Sequence, residues 1–273
     1  MKTPLVDCHS HSAYSGHGVG TVREMVEAAQ RRGLAVYAQT EHLTLPESLD
    51  PKREDSMAPD TVLAYAAELA VEQLRLSAEH HPMELVCGVE ADWLPGRTAE
   101  LEELCKPYDY VIGSIHFLKG LALDNSDDMR LWEQEGVDGV WEAYLNALEN
   151  MIRNSGPIRC LGHLDLPKVF GMRPSFDVRE AFGDLASLVR SRELIIEINC
   201  AGWFKKAQEQ YPAVDVLKLF AQQQVFCTVG CDAHKPEMVG ERVEDAYRIM
   251  YDAGYRHVHA PSVGGKLYRF ELA

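Results

Sequence analysis

Short apolar runs alternate with segments of helical periodicity along almost the whole chain. The runs are rich in aliphatic and β-branched residues, which predicts buried strands at 5–11, 36–42, 84–92, 110–117, 158–165, 193–200 and 226–234. Between them, apolar residues recur at the i, i+3, i+4, i+7 spacing of one helix face, in 21–32, 60–79, 138–153, 177–191, 213–224 and 240–253. Thr21 and Glu24 have the spacing of a capping box, and Asp60 is expected to cap the second helix.

This alternation predicts parallel β–α units and therefore an α/β fold. Because the strands read as nearly continuous apolar runs, the sheet is either covered on both faces or closed into a barrel. Periodicity alone leaves an open sheet and a barrel both possible. Ligand-type residues end almost every strand, and long loops follow strands at 43–59, 118–137 and 166–176. Barrel enzymes gather their chemistry at this end, which favours the barrel.

The composition argues against a nucleic-acid partner and against a membrane or secreted protein. The 273 residues carry a formal net charge of −15, so a nucleic acid is not an expected partner. No apolar run approaches the roughly 18 residues of a membrane span, and the N-terminus has no signal-peptide core. The seven cysteines include no C-x-x-C pair, which indicates reduced thiols and a cytoplasmic protein, and the six that lie in predicted strands, all but Cys105, are expected to be buried.

Histidines and carboxylates concentrate where the predicted strands end. The nine candidates are His9, His11, His17, His42, Glu90, His116, His163, Asp232 and His234. One buried histidine is an ordinary core residue, but burying this many polar groups together is costly unless they share a cation. Imidazole and carboxylate ligands without thiolates suit Zn, Fe or Mn. Nine ligands exceed one tetrahedral site, so we expect two or three divalent ions and a bridging carboxylate.

The D-x-H-x-H motif at residues 7–11 suggests how two of these histidines meet. Alternate residues of a strand point to the same face, so His9 and His11 can bind one ion. Asp7 shares that face and is expected to orient an imidazole. The D-x-H motif at Asp232 and His234 repeats the arrangement.

Seven motifs, in chain order, carry a family resemblance. DCHSHS, QTEH, GVEAD, DYVIGSIHF, GHLDL, EINCAG and GCDAH resemble the polymerase-and-histidinol-phosphatase (PHP) superfamily, and GSIHF, GHLDL and EINCAG are most similar to its histidinol-phosphate phosphatase branch. The resemblance runs through nearly the whole chain and implies one domain over residues 1–273. The implied fold is a distorted, TIM-like (β/α)7 barrel with three metal ions at the C-terminal ends of its strands.

The resemblance also implies which residues hold each ion. The first ion would be bound by His9, His11, Glu90 and Asp232. The second would share Glu90 and add His116 and His163, and the third would take His17, His42 and His234. Glu41 in QTEH stands where the family often has aspartate, which leaves its supporting role open.

The expected activity is hydrolysis of a phosphate monoester, foremost L-histidinol phosphate in histidine biosynthesis. A metal-bridging hydroxide would attack phosphorus, because clustered cations lower the pKa of water and neutralise phosphoryl charge. Catalytic roles fall to Glu90, Asp232 and Asp165. Asp165 lies two residues after His163, hence on the same strand face, and is expected to protonate the leaving group; a purely structural role fits equally well.

Substrate contacts are expected from the loops that follow strands. The candidate phosphate-binding residues are Lys168, Arg173, Lys205 and Lys206. The acidic loop 124–128 would meet cationic groups of the substrate. Three other functions remain open: a phosphoesterase for sugar phosphates, nucleotides or nucleic-acid ends, a metal-dependent amide or lactone hydrolase, and a non-catalytic metal-binding barrel. The oligomeric state is left open as well.

Overall fold

The computed structural model describes residues 2–273 and contains a seven-stranded parallel sheet that curls into a barrel. The strands of the described chain are β1 Leu5–Asp7, β2 Leu34–His42, β3 Glu84–Asp92, β4 Tyr110–Ser114, β5 Phe117–Leu118, β6 Leu121–Ala122, β7 Cys160–Leu161, β8 Ile195–Asn199, β9 Cys227–Gly230, β10 His257–Pro261 and β11 Leu267–Glu271. The barrel order is β1-β2-β3-β4-β7-β8-β9. Backbone hydrogen bonds from Cys8 N to Val229 O and from His11 N to Ala233 O join the first strand to the last.

The barrel predicted from the sequence is therefore confirmed; β2 and β3 end where predicted, but the other five barrel strands end earlier. β7 stops at Leu161 and β9 at Gly230. Beyond these two strand ends, backbone N–H groups donate to side-chain carboxylates instead of to carbonyl oxygens of the neighbouring strand. The His163 N–H donates to Glu197 Oε1 (3.0 Å), and the Cys231 N–H donates to Asp7 Oδ1 (2.8 Å). These irregular ends carry most of the predicted ligands.

Helices cover the outside of the barrel. They are α1 Val22–Arg32, α2 Val62–Ala78, α3 Thr98–Leu104, α4 Arg130–Arg153, α5 Arg179–Ser191, α6 Val214–Gln222 and α7 Val243–Ala253. The capping box of Thr21 and Glu24 is confirmed, with Gly33 left-handed at the other end of α1 (φ 73°). The prediction of Asp60 as a cap is wrong: the residue that precedes α2 is Thr61, and it makes no side-chain cap hydrogen bond.

Four elements were missed, in whole or in part, by the periodicity argument because each is short or interrupted. The helix α4 starts at Arg130, before a break at Gly136 (φ 67°), which shifts the helical phase and hides its first turns. The helix α3 and the hairpins β5–β6 and β10–β11 are too short to show a period. The loop of the β10–β11 hairpin is bound at the N-terminal end of the barrel, where Val263 N donates to Glu84 Oε1 (2.7 Å) and Gly264 N donates to Asp109 Oδ1 (3.0 Å).

Two further sequence expectations can be compared with the described chain. All seven cysteines are free and buried, which confirms the prediction for the six in strand-like runs and adds Cys105. Across residues 2–273, none of the helices combines the length and the apolar character needed to cross a membrane.

Candidate metal centre

Glu90, near the C-terminal end of β3, lies at the middle of the predicted ligands. Its Oε2 atom is 3.2 Å from His9 Nε2, 3.4 Å from His11 Nε2 and 3.0 Å from His42 Nδ1. Asp232 lies beside the same two histidines, with Oδ1 3.1 Å from His11 Nε2 and 3.7 Å from His9 Nε2. Chain segments more than 200 residues apart in the sequence therefore bring five ligand-type side chains to one point.

The other oxygen of Glu90 faces a second pair of imidazoles. Glu90 Oε1 lies 3.0 Å from His163 Nε2 and 3.7 Å from His116 Nε2, and the two Nε2 atoms are 3.1 Å apart. Ser114 donates to the same oxygen at 2.5 Å. A carboxylate with imidazoles on both oxygens has the arrangement of a bridging ligand, the role that the family resemblance implies for this residue.

The two remaining histidines, His17 and His234, lie in the outer part of the cluster. The His11 ring stacks on His42 at 4.1 Å and on His234 at 4.4 Å between centroids, and one ring nitrogen from each of these residues can reach a common ion. His17 stacks on His234 at 4.7 Å, while its Nδ1 is 3.1 Å from the carbonyl oxygen of Glu54. His17 is partly exposed and lies at the rim.

The donor atoms in this cluster fit a cation. His9 Nε2, His11 Nε2 and Glu90 Oε2 are buried and have no hydrogen-bond partner, although they lie close together. Buried polar atoms in native proteins are almost always paired, so three unpaired atoms aimed at one another need a shared partner. Neutral imidazoles and ionised carboxylates are the forms that bind divalent metals.

The electrostatics favour the metal-binding forms of the two carboxylates and of His11, whereas nearby carboxylates raise the pKa values of His9, His42 and His116 despite burial. Burial by itself raises the pKa of the Glu90 carboxyl, but the nearby imidazoles, led by His9, hold that pKa well below its usual range. Asp232 behaves in the same way beside His9 and His11. Burial, together with His42 and His234, lowers the pKa of His11 well below its ordinary value, so its ring stays neutral.

A cavity of about 560 Å³ opens above this cluster. The cluster contributes His17, His42, His116, His163, Asp232 and His234 to its lining. Its other walls carry Asp55 and Asp124, the aromatic rings of Phe117 and Phe204, and Tyr211. The site thus combines candidate metal ligands at the floor with room for a small molecule.

A model of the PHP domain matches residues 7–201 of this sequence. The chain belongs to the PHP domain family. It is 34% identical over 259 residues to the "Probable histidinol-phosphatase" of Deinococcus radiodurans, covering 94% of this chain and 96% of that protein. It is 25% identical to the histidinol-phosphatase of Bacillus subtilis, over 87% of this chain and 96% of that one.

Solved structures show the same fold as this PHP domain. The histidinol phosphate phosphatase of Lactococcus lactis, solved with zinc, L-histidinol and phosphate, superposes with a TM-score of 0.79. The superposition covers 97% of this chain and 98% of that one, at 22% sequence identity. At that identity the likeness concerns the barrel, and it agrees with the distorted TIM-like architecture expected from the motifs.

Two carboxylates that hold histidines of this PHP domain were not singled out in the sequence. Glu197 of β8 accepts from His9 Nδ1 at 2.9 Å, and Asp92 at the end of β3 accepts from His116 Nδ1 at 3.0 Å. Each leaves the Nε2 atom of its histidine facing the cluster. Glu197 stands between two isoleucines in a buried strand, and an acidic residue in such a place was the available signal.

Glycine 230 makes the contact between His9 and Glu197 possible. A Cβ atom at Gly230 would lie 2.4 Å from the His9 Cβ and 2.6 Å from Glu197 Oε2. A larger residue would therefore displace either the histidine or the carboxylate that orients it. The glycine of GCDAH is explained by this close approach.

The open question about Glu41 now has a structural answer. Glu41 accepts from the Ser15 hydroxyl and, through Oε1, from Ser12 N (2.8 Å) and Gln39 Nε2 (2.7 Å). The Ser15 oxygen in turn lies 3.3 Å from His11 Nδ1. Glu41 thus reaches a candidate ligand through Ser15, and it supports His11 without touching the cluster.

The expectation that Asp7 orients an imidazole is wrong. Its carboxylate accepts backbone N–H groups from Cys231 (2.8 Å), Gly240 (2.9 Å) and His9 (3.4 Å). β1 ends at Asp7, so the strand alternation that placed Asp7 beside the His9 ring does not continue to His9. Asp7 instead ties the end of β9 to the start of the chain.

The prediction that Asp165 protonates the leaving group assumed that Asp165 and His163 lie on the same strand face, and this assumption is wrong. β7 ends at Leu161, so His163 and Asp165 do not share a strand face. The Asp165 carboxylate is buried, pairs with Lys168 Nζ at 2.8 Å and accepts from Ala213 N at 2.8 Å. Asp165 is absent from the cavity lining, and these contacts are those of a structural carboxylate.

The four predicted phosphate-binding residues separate into three groups. Lys168 is fully buried, and its ammonium donates to Gln210 O (2.7 Å) as well as to Asp165, so it is neither a surface charge nor free to bind phosphate. Arg173 pairs with Glu209, and Lys206 is exposed away from the cavity. Lys205 is the one lysine or arginine among the described cavity residues.

We expect replacement of Glu197 by glutamine to weaken metal binding by the PHP domain about 10–100-fold, because the His9 ring loses the carboxylate that fixes its tautomer. Metal content after dialysis against a graded chelator measures the change. Glu193→Gln, an exposed residue four positions earlier, is the matched control. Unchanged metal affinity in Glu197→Gln would remove this supporting role.

Proposed function

We propose that this PHP domain protein hydrolyses L-histidinol phosphate to L-histidinol and phosphate with the help of divalent metal ions. The observation that carries the proposal is the set of unpaired, buried ligand atoms of His9, His11 and Glu90. The named relatives, foremost the Deinococcus radiodurans protein at 34% identity, support phosphatase activity as the use of this site.

We assign two or three ions to the cluster, chosen from Zn, Fe and Mn. Glu90 would bridge, with His9, His11 and Asp232 on one oxygen side and His116 and His163 on the other. His42 and His234, with His17 at the rim, would hold a further ion. When bound, the ions supply charge neutralisation at the phosphoryl oxygens and lower the pKa of water.

The cavity walls suit a substrate with both cationic and aromatic parts. Asp124 and Asn125, from the acidic loop, line the cavity and can accept from an ammonium group. The rings of Phe117 and Phe204 offer faces for an imidazole. Lys205 is placed to bind the phosphate. L-Histidinol phosphate has these three parts, whereas sugar phosphates lack the ammonium and the imidazole.

Tyr211 is the group that we assign to protonate the leaving alkoxide. It lines the cavity, its ring lies 6.3 Å from that of His163, and its buried hydroxyl has no hydrogen-bond partner among the described residues. Burial raises the pKa of this hydroxyl, so it keeps its proton. Lys168 lies over the ring at 5.1 Å and fixes the segment that carries it.

Replacing Tyr211 by phenylalanine is expected to slow hydrolysis of alkyl phosphates about a hundredfold, because general acid catalysis contributes at least that much. Hydrolysis of p-nitrophenyl phosphate should change far less, since p-nitrophenolate leaves without a proton. Steady-state kcat on both esters measures the difference. An equal loss on both would assign Tyr211 a packing role.

The function itself is tested by phosphate release from L-histidinol phosphate. The comparison panel contains ribose 5-phosphate, a nucleoside monophosphate, glycerol phosphate and single-stranded DNA. We expect the highest kcat/KM for L-histidinol phosphate. Preference for a sugar or nucleotide ester would place the chain elsewhere among phosphoesterases, and inactivity of the metal-loaded protein on the whole panel would refute the proposal.

A further inference from the structure

His17 is the candidate ligand that lies farthest along the chain from the end of a barrel strand. One ring nitrogen from each of His11, His42 and His234 lies within 4.8 Å of the others, and His17 is not one of that group. Its side chain is 42% exposed, and it belongs to a turn at residues 16–18, here called the His17 turn. Contacts from outside the barrel strands must therefore hold its ring in place.

A backbone carbonyl determines which nitrogen of His17 is available. His17 Nδ1 lies 3.1 Å from the carbonyl oxygen of Glu54. Because a carbonyl oxygen can only accept, the proton of the neutral ring is on Nδ1 and donates to it, and Nε2 keeps its lone pair. A hydrogen bond from one ring nitrogen is the usual way in which a protein orients the other nitrogen toward a metal ion.

The His17 turn is pressed closely against the backbone that carries this carbonyl. Gly16 has a left-handed conformation (φ 83°), and a Cβ atom there would lie 2.6 Å from Glu54 O and 2.7 Å from Arg53 O. Directly after the turn, Val19 N donates to His234 O at 2.8 Å. The turn is thus held between the candidate ligand His234 and the Glu54 segment, with no room for a side chain at Gly16.

Asp50 fixes the segment to which Glu54 belongs. Its carboxylate is buried, and both of its oxygens accept hydrogen bonds. Oδ1 accepts from Glu54 N (2.9 Å), and Oδ2 accepts from Asp55 N (3.3 Å) and from the Ser56 hydroxyl (2.7 Å). The Ser56 oxygen accepts in turn from Leu45 N at 3.1 Å, which joins the two arms of the loop that follows β2. Burying a carboxylate is costly, and these three neutral donors compensate for it.

We propose that Asp50 is a positioning residue for the His17 imidazole and acts through the Glu54 carbonyl. Asp50 holds the backbone of Glu54, the Glu54 carbonyl holds Nδ1 of His17, and Nε2 is left to bind an ion. The inference rests on the proposed function, because it concerns the further ion assigned there to the rim of the cluster, here called the outer ion. Asp50 thereby controls binding of the outer ion and leaves the ions bridged by Glu90 unaffected.

The test counts zinc ions per chain in the intact protein after dialysis against a graded zinc chelator. We expect three ions in the wild type. Asp50→Asn should bind the outer ion about tenfold more weakly or worse and keep the other two, because asparagine offers one acceptor oxygen where two are used. Asp60→Asn, an exposed carboxylate just beyond the same loop, is the matched control and should keep all three. His17→Ala is the reference variant and should lose the outer ion.

A second variant disturbs the same contact from the His17 turn and serves where Asp50→Asn does not fold. Gly16→Ala should push the Glu54 carbonyl away from His17 and weaken the outer ion to a similar extent. Gly33→Ala is its control, because Gly33 is also left-handed (φ 73°) but a Cβ atom there would meet nothing within 4 Å. Circular dichroism and thermal unfolding establish that each variant is folded.

The double variant Asp50→Asn/Gly16→Ala separates positioning of His17 from a general loss of structure. Two changes that break one shared contact should together weaken the outer ion no more than the more damaging one does alone. Losses that add would indicate independent structural effects and would overturn the proposal.

The count of ions also separates this inference from the proposed function. Full affinity for the outer ion in Asp50→Asn, loss of all three ions from the folded variant, or retention of the outer ion by His17→Ala would each overturn the role of Asp50. A wild-type chain that binds only two ions would overturn it as well. Because the ions are counted without substrate, a wild type inactive on every phosphate ester would refute the proposed hydrolysis, while selective loss of the outer ion would still support the positioning role.

Discussion

Replacing Glu90 by glutamine is expected to reduce the phosphatase rate about a thousandfold, which corresponds to the several kcal/mol that metal catalysis supplies. Glutamine keeps the size of the side chain but removes the charge and one acceptor oxygen. Both oxygens of Glu90 are in use, Oε2 facing His9, His11 and His42 and Oε1 facing His163. One substitution therefore disturbs both halves of the cluster.

The measurement is kcat on L-histidinol phosphate together with metal content per chain. Glu90→Gln should lose both, whereas Glu102→Gln, an exposed glutamate on α3, should lose neither. His257→Ala on the β10–β11 hairpin serves as the histidine control, because His257 contacts Arg269 and lies outside the cluster. A Glu90→Gln variant with full rate and full metal content would contradict the bridging role.

The barrel and the meeting of the ligands could be predicted because both follow from patterns that repeat along the chain. Apolar runs alternating with amphipathic helices predict parallel strands, and parallel strands bring their C-terminal ends together. His9 and Glu90 are distant in sequence, yet both follow the apolar part of a strand. Their distance of 3.2 Å in the structure is a consequence of topology.

Roles that depend on the last residues of a strand could not be predicted in the same way. The same-face arguments for Asp7 and Asp165 assumed that strand alternation continues to residue 11 and to residue 165. β7 ends at Leu161, and beyond it the His163 N–H donates to the Glu197 carboxylate. β1 ends at Asp7, and beyond it the Ser10 N–H donates to the Thr40 hydroxyl (3.0 Å). The left-handed backbone of Asp232 (φ 54°) is a further departure that no alternation rule gives.

The basic residues show a second limit of sequence reasoning. A lysine near a phosphate-binding loop is usually exposed, and nothing local distinguishes Lys168 from Lys206. The difference arises from tertiary partners: Lys168 is enclosed by Asp165 and the Gln210 carbonyl. Burial of such a charge requires compensating partners, so Lys168 stabilises the cavity wall that carries Tyr211.

Removing the metal ions is expected to abolish phosphatase activity and to lower the thermal stability of the protein. Ions held at a thousandfold excess over their dissociation constant contribute about 4 kcal/mol. Their loss corresponds to a fall in Tm of roughly 10 °C for a domain of this size. The loss arises because His9, His11 and Glu90 are left with buried, unpaired atoms.

The experiment treats the purified protein with excess EDTA and, as the control, with EDTA already saturated with zinc. Only free EDTA should remove the ions, the activity and the added stability, and Zn, Fe or Mn should restore all three. Differential scanning calorimetry and phosphate release are measured on the same samples. Because the cluster lies at the open end of the barrel, the β10–β11 hairpin at the opposite end should keep its hydrogen-exchange protection. A metal-free chain that retains its full rate would refute metal-dependent hydrolysis and leave the unpaired atoms of Glu90 unexplained.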